Sequence, residues 1–231
     1  MSELQKESFL ERNKHFINLI MALATLISSV ATAYIAKTIG EQQINAQKIQ
    51  FAPIFTFNKI YDMKDGVYTT EYLTIENQGY PVLNFDAKLD TIIKMRRTIY
   101  QPKIIVQESS FPIDYYSGRS GRNGGKGDMT MFIGFENLTL GKKIQDDFVS
   151  YNQSHSSNEI INHETYTIVK ISYIDALDEP HEKYFIDEKL VTKEQYLEVK
   201  KTIKNKPDLR KNDLQIPLLI KRLENEIMKP D

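Results

Sequence analysis

Residues 117–128, SGRSGRNGGKGD, combine five glycines with three basic side chains, a composition typical of loops that hold phosphate groups. The P-loop pattern GxxxxGK[ST] is absent, because Ser120 stands where its first glycine belongs and Gly127 follows Lys126. We also expect no helix after this stretch, so no helix N-terminus would face a bound anion. The pattern therefore favours a mobile hairpin loop over a site for an anion or a lipid headgroup.

A wider basic stretch surrounds this loop. Residues 88–143 hold ten Lys or Arg against five Asp or Glu, whereas residues 144–188 hold ten acidic residues against two Lys. Near an anionic leaflet each basic residue contributes about 1 kcal/mol, and nucleic-acid phosphates attract the same groups. The candidate binding residues are Arg96, Arg97, Arg119, Arg122 and Lys126. A solvated surface explains the same charges and is the interpretation we favour, since charged residues on strands face outward by default.

The segment YIDALDEPHEKYF, residues 173–185, gathers carboxylates around a histidine. Such groups hold a divalent ion or act as an acid/base pair, which would make the chain a metal-dependent hydrolase. The residues are Asp175, Asp178, Glu179, His181 and Glu182. A turn containing Pro180 between two strands accounts for them with nothing bound, and we favour that interpretation.

Other common chemistries are excluded by composition. The chain contains no Cys, so disulfides, thiolate zinc sites and cysteine nucleophiles are absent. His15, His155 and His163 show no HxxxH or HExxH spacing, and no GxSxG motif occurs. The net charge of -1 removes any argument for nucleic-acid binding by bulk charge. We therefore expect no cofactor and no metal, and we assign no catalytic residue.

Residues 51–190 are expected to form the domain that positions these side chains. Eight short runs are rich in β-branched and aromatic residues and are separated by turn signals such as NQGYP at residues 77–81. The runs occupy residues 51–58, 67–77, 82–90, 91–100, 103–107, 129–136, 165–175 and 182–188. Because no helix is expected between them, they predict an antiparallel β-sandwich or barrel.

Residues 191–231 return to a helical pattern. Thr192 is a good N-cap and Gln195 completes a capping box, which predicts a helix over residues 193–205. A second helix is expected over residues 216–228. The fold class is therefore mainly β with flanking helices.

An apolar segment comes before the β domain. Residues 16–36 form an uncharged run of 21 residues, and about 20 apolar residues cross a bilayer. The run predicts a transmembrane helix after an N-terminal flank at residues 1–15, with residues 37–50 continuing it as a helical stalk. A buried helix of a soluble protein is a weaker alternative, because the run has no polar stripe. A cleaved signal peptide with its cut near residues 31–33 is the stronger rival.

The arrangement resembles a group of uncharacterised bacterial single-pass membrane proteins, in which one span leads through a charged helical stalk into a small β-sandwich. The shared features are TIENQGYPVLNFDAKL at residues 74–89 and VKISYIDALDEPHEKYFI at residues 169–186. The resemblance implies a membrane location and a β-sandwich, and it favours the cytoplasmic side for the domain. Charge alone does not settle the orientation, since three basic residues precede the span and two follow it.

These features predict a membrane-anchored interaction module. The bilayer holds residues 16–36, and the β domain binds a protein partner or a second copy of the chain. The first rival is a tethered nucleic-acid or anionic-lipid binder that uses residues 88–143, for example in phage defence. The second is a hydrolase at residues 175–182.

Overall fold

The computed structural model describes residues 13–100, 102–155, 158–210 and 213–227. The chain divides into a helical unit that ends at Phe51 and a second unit that begins at Ala52. Most of the predicted N-terminal flank and the last predicted helical residue, Met228, lie outside the described residues.

The first unit is one long helix, α1 (Lys14–Gln50). Its hydroxyl side chains bond back to the helix, as in the donation from Thr25 Oγ1 to the Met21 carbonyl and from Thr32 Oγ1 to the Ser28 carbonyl, both 2.8 Å. These bonds satisfy the hydroxyl donors concerned without water, as the interior of a bilayer requires. The predicted extension of the helix beyond residue 36 is confirmed.

Among the described residues, one helix is long and apolar enough to span a membrane by length and composition, and it lies within α1 near the N-terminus. Its large apolar side chains are exposed, for example Phe16 at 63% and Leu26 at 61%. The helix of a soluble core would bury such residues.

The second unit is built on antiparallel strands, so the predicted fold class is confirmed. The strands are β1 (Phe55–Lys64), β2 (Val67–Tyr100), β3 (Ile104–Ile113), β4 (Gly118–Gly121), β5 (Gly125–Gly134), β6 (Glu159–Ile174), β7 (Pro180–Ile186) and β8 (Lys189–Val191). The helices are α2 (Asn137–His155), α3 (Lys193–Thr202) and α4 (Ile216–Ile227).

The long strand β2 belongs to two sheets. Its first half pairs with β1 and β5, and its second half pairs with β3 and β6. The pairing register shifts near Val82 and Leu83, where the strand passes from one sheet to the other. Leu73 and Ile75 from the first half share a buried cluster with Ala87 and with Ile171 of β6. The two sheets therefore pack around a common core, as a sandwich requires.

Helix α2 corrects the expectation that no helix separates the strands, because it lies between β5 and β6. Leu140, Ile144 and Phe148 recur every four residues, and this period places them on one helix face. Ile144 and Phe148 are buried against the second sheet, in a cluster that includes Met95 of β2. The sequence does not single out this helix, because its apolar pattern is short and is interrupted by polar residues and by Gly141.

Both predicted C-terminal helices are present, although α3 ends at Thr202, three residues before its predicted end. The Thr192 side chain accepts from the Gln195 N–H, and Gln195 accepts from the Thr192 N–H, so the predicted capping box caps α3. Tyr196 of α3 packs on Tyr184 in a third cluster. Leu219 of α4 is fully buried and joins the cluster beneath α2. The second sheet is therefore covered by helices on both faces.

Candidate functional site

The basic residues singled out in the sequence are divided between the two sheets. They are Arg96, Arg97, Arg119, Arg122 and Lys126. The first two neighbour each other in the second half of β2, so their side chains face opposite sides of the sheet. The other three lie on or between β4 and β5, where Arg119 pairs with Asp86 at 3.0 Å. Arg96, Arg122 and Lys126 are exposed.

Arg97 lies at the centre of a partly buried polar network. Its guanidinium donates to Glu159 at 2.6 Å and to Glu224 at 2.7 Å, and Tyr151 donates to the same Glu159 carboxylate. Burial opposes ionisation of Glu159, but the hydrogen bonds from Tyr151 and Arg97 outweigh it and lower its pKa. Burial and the Glu159 carboxylate raise the pKa of Tyr151 to about 12. The network joins β2, β6, α2 and α4.

The glycine-rich stretch forms the β4–β5 hairpin and packs on the bend of β2. A Cβ added at Gly124 would lie 2.6 Å from the Val82 carbonyl oxygen, so only glycine permits this approach. The Phe85 N–H donates to the Asn123 carbonyl at 2.9 Å. Gly127 has φ +86°, a conformation that glycine adopts without strain. The packing and backbone geometry of the sheet therefore account for these glycines, so their presence does not require a phosphate-binding loop.

The NQGYP motif that begins at Asn77 does not reverse the chain, so the predicted turn is wrong and β2 continues through it. The Asn77 Oδ1 accepts from the N–H groups of Ile54 and Gly79, at 3.2 and 3.1 Å. Its Nδ2 donates to the carbonyls of Tyr80 and Gly125, at 2.7 and 3.2 Å. This fully buried side chain replaces ladder hydrogen bonds at the bend.

The acidic turn brings three of its five candidate residues together. Potential ligand atoms of Asp175, Glu179 and His181 lie within 4.8 Å of one another. Glu182 instead pairs with Lys170 and accepts from the Tyr184 hydroxyl. Asp178 is exposed in the turn.

The Asp175 carboxylate is already engaged within this turn. It accepts from the N–H groups of Leu177 and Glu179, both at 2.9 Å, and lies 2.7 Å from His181 Nε2. Burial opposes its ionisation, but these hydrogen bonds outweigh that effect and lower the pKa of Asp175. Three carboxylate and imidazole ligands suit a divalent cation, and the same hydrogen bonds close the turn with nothing bound.

His163 of β6 has a packing role that the sequence did not indicate. Its ring stacks on Phe148 with centroids 4.2 Å apart, and burial lowers its pKa. The unfolded chain binds a proton more readily, so this group stabilises the fold above about pH 6.5, and the contribution is lost as the pH falls through the folded-state pKa. We expect His163→Gln to weaken the fall in melting temperature below that pH. An equal fall in the melting temperature of the variant and of the parent protein would contradict this role.

Exposed apolar side chains mark the β1–β2 hairpin, and sequence reasoning missed them. They are Ile60, Tyr61, Met63, Val67 and Tyr68. The rings of Tyr61 and Tyr68 lie 6.0 Å apart, edge to face. The alternation used to assign strands says which residues share a face, but it does not say whether another layer covers that face.

A second exposed apolar set lies where β2 leads into β3. It consists of Tyr100, Ile104, Ile105 and Val106, which we call the β2–β3 tip. Exposed apolar groups of this kind mark contact surfaces for proteins or membranes.

The chain matches no protein-family model and no curated protein. Its function is therefore inferred from its own residues, from α1 and from these exposed surfaces.

Proposed function

We propose that this protein is a single-pass membrane protein whose β domain binds another macromolecule at the membrane surface and performs no catalytic step. In this proposal α1 crosses the bilayer and the domain lies on its cytoplasmic side. The resemblance to bacterial single-pass proteins supports that orientation.

The exposure of α1 is the observation that carries the proposal. Leu19, Leu23 and Leu26 are all more than half exposed on a helix whose apolar run is long enough to cross a bilayer. Apolar side chains all round a helix favour lipid as its solvent. The hydroxyl groups of Thr25, Ser29 and Thr32 within the run donate to carbonyls of the helix itself, as lipid demands.

Partner binding is supported by the exposed β1–β2 hairpin. Met63 and Val67 are each 55% exposed on a hairpin that also carries Lys59, Lys64 and Asp65. Apolar groups rimmed by charges are typical of protein contact surfaces. No specific observation supports a hydrolase to the same degree, since the acidic turn is closed by its own hydrogen bonds.

Fractionation of the full-length chain tests the location. We expect the uncleaved protein to sediment with membranes and to stay there after an alkaline carbonate wash, because a spanning helix resists extraction. Protease should reach the domain only in inverted vesicles or lysed cells. Full-length protein in the supernatant would reject the anchor, and cleavage in spheroplasts would reject the orientation.

Photo-crosslinking in intact membranes tests the partner. Benzoylphenylalanine in place of Met63 should give a discrete adduct that survives denaturation. The matched control carries the same group at Gln145, an exposed position on α2. Equal adducts at both positions, or none at Met63, would reject the β1–β2 hairpin as the binding surface.

A further inference from the structure

Half of the edge strand β3 is covered and half is open. Leu209 pairs with Ile113, its N–H donates to the Pro112 carbonyl at 2.9 Å, and Lys206 Nζ donates to the Ser110 carbonyl at 3.0 Å. Strand alternation places the backbone groups of residues 104, 106 and 108 on this same edge. Among the described residues, no backbone group pairs with them there.

The open half of β3 coincides with the β2–β3 tip, which is apolar on both faces. Tyr100 lies opposite Ile104 on one face, where Ile104 is 67% exposed and Val106 is 50% exposed. Ile105, on the other face, is 43% exposed. A protein partner that lies against one face of the sheet would leave the other in water, whereas a lipid interface surrounds both.

The charge of the tip distinguishes it from the other apolar hairpin. Residues 98–107, TIYQPKIIVQ, contain Lys103 and no acidic residue. The β1–β2 hairpin carries Asp62 and Asp65 together with Lys59 and Lys64, so its formal charges cancel. Tyrosine, aliphatic residues and a lysine form the composition found where proteins meet the headgroup layer, and a lysine adds attraction to anionic lipids.

We propose that the β2–β3 tip inserts into the headgroup region of an anionic bilayer leaflet, in the membrane that α1 spans. This inference rests on the proposed function, since α1 supplies the bilayer. Four residues, 51–54, join the end of α1 to the start of β1, and they span at most about 14 Å. The stalk, residues 37–50, adds about 21 Å between the predicted span and this connection, at about 1.5 Å per residue. The stalk and the connection together still tether the domain near the membrane and raise the effective concentration of lipid around it.

The open edge limits how deep the tip goes. Unpaired N–H and C=O groups are costly in hydrocarbon, so the backbone of residues 104–108 must stay where water or headgroups reach it. The apolar side chains then enter to a depth of about 5–10 Å, as for other interfacial segments. Lys103 extends its ammonium toward the lipid phosphates.

The absence of Trp from the chain provides a background-free test. Full-length protein is reconstituted in vesicles that contain anionic phospholipids brominated either near the headgroup or deep in the acyl chain. Three variants are compared: Ile104→Trp in the tip, Val67→Trp in the β1–β2 hairpin, and Leu26→Trp in α1. All three positions are exposed, so the substitutions are tolerated.

We expect shallow bromines to quench the Ile104→Trp variant more than deep bromines do, and to leave Val67→Trp unquenched. Deep bromines should quench Leu26→Trp most. Adding Lys103→Glu, or omitting anionic lipid, should reduce quenching at position 104 and leave it unchanged at position 26.

Two outcomes overturn the inference. In one, aqueous acrylamide quenches the emission of Ile104→Trp as strongly as that of Val67→Trp. In the other, its emission depends on protein density rather than on bromolipid, which would indicate a second copy of the chain on the open edge. In both, quenching of Leu26→Trp shows that the anchor itself holds. An unquenched Leu26→Trp would instead reject the proposed function.

Discussion

The Asn77→Ala variant is expected to lose about 3 kcal/mol of unfolding free energy, because it removes four hydrogen bonds from a fully buried position. For a domain of this size, that loss lowers the melting temperature by about 10 °C. The N–H groups of Ile54 and Gly79 lose their acceptor, and burial keeps water from replacing it. Thermal unfolding of the full-length chain in detergent, followed by near-UV circular dichroism of its tyrosines, measures the effect.

The exposed Asn162 on β6 supplies the control, since Asn162→Ala removes the same side chain without opening a buried network. Gly79→Ala provides an independent check at the same bend. Its Cβ would lie 2.5 Å from the Ala52 carbonyl oxygen, so the backbone must move. If both bend variants melted within a degree or two of the parent protein, the contacts at this bend would not contribute to the stability of the fold.

This bend also shows where local sequence patterns stop predicting the fold. The runs at residues 67–77, 82–90 and 91–100 each predict a strand, because their residue types favour extended backbone. That they form one strand was not predictable, since NQGYP has the composition of a turn. The outcome depends on Ile54 and Gly125, which the Asn77 side chain contacts across 23 and 48 residues of sequence.

Features set by neighbouring residues were predicted well. The uncharged run gave α1, and the pair Thr192 and Gln195 gave the start of α3, because both signals act within one helical turn or one continuous segment. The candidate site was harder to predict. Whether Arg97 is free to bind a ligand depends on Glu159 and Glu224, which lie 62 and 127 positions away.

Arg97→Met is expected to destabilise the domain by about 3 kcal/mol, because it leaves the Glu159 carboxylate buried without its cation. The Glu159 side chain is 9% exposed, whereas that of Glu224 is 41% exposed, so Glu159 bears most of the penalty. The matched control is Arg96→Met on the same strand. Arg96 is exposed, so that variant should stay within about 0.5 kcal/mol of the parent protein.

A double-mutant cycle separates pairing from burial. Arg97→Met combined with Glu159→Gln should cost less than the two single changes added together, because neither charge is then left alone. The pKa of Glu159 is lowered in the fold, so its contribution is present above about pH 4.5 and is lost as the pH falls through the folded-state value. The parent protein and the double variant should therefore approach each other in stability on acidification. The contrary result is that Arg97→Met leaves stability intact but abolishes salt-dependent binding to anionic vesicles or RNA. Arg97 would then be a ligand-binding residue, and the basic stretch would be a binding site.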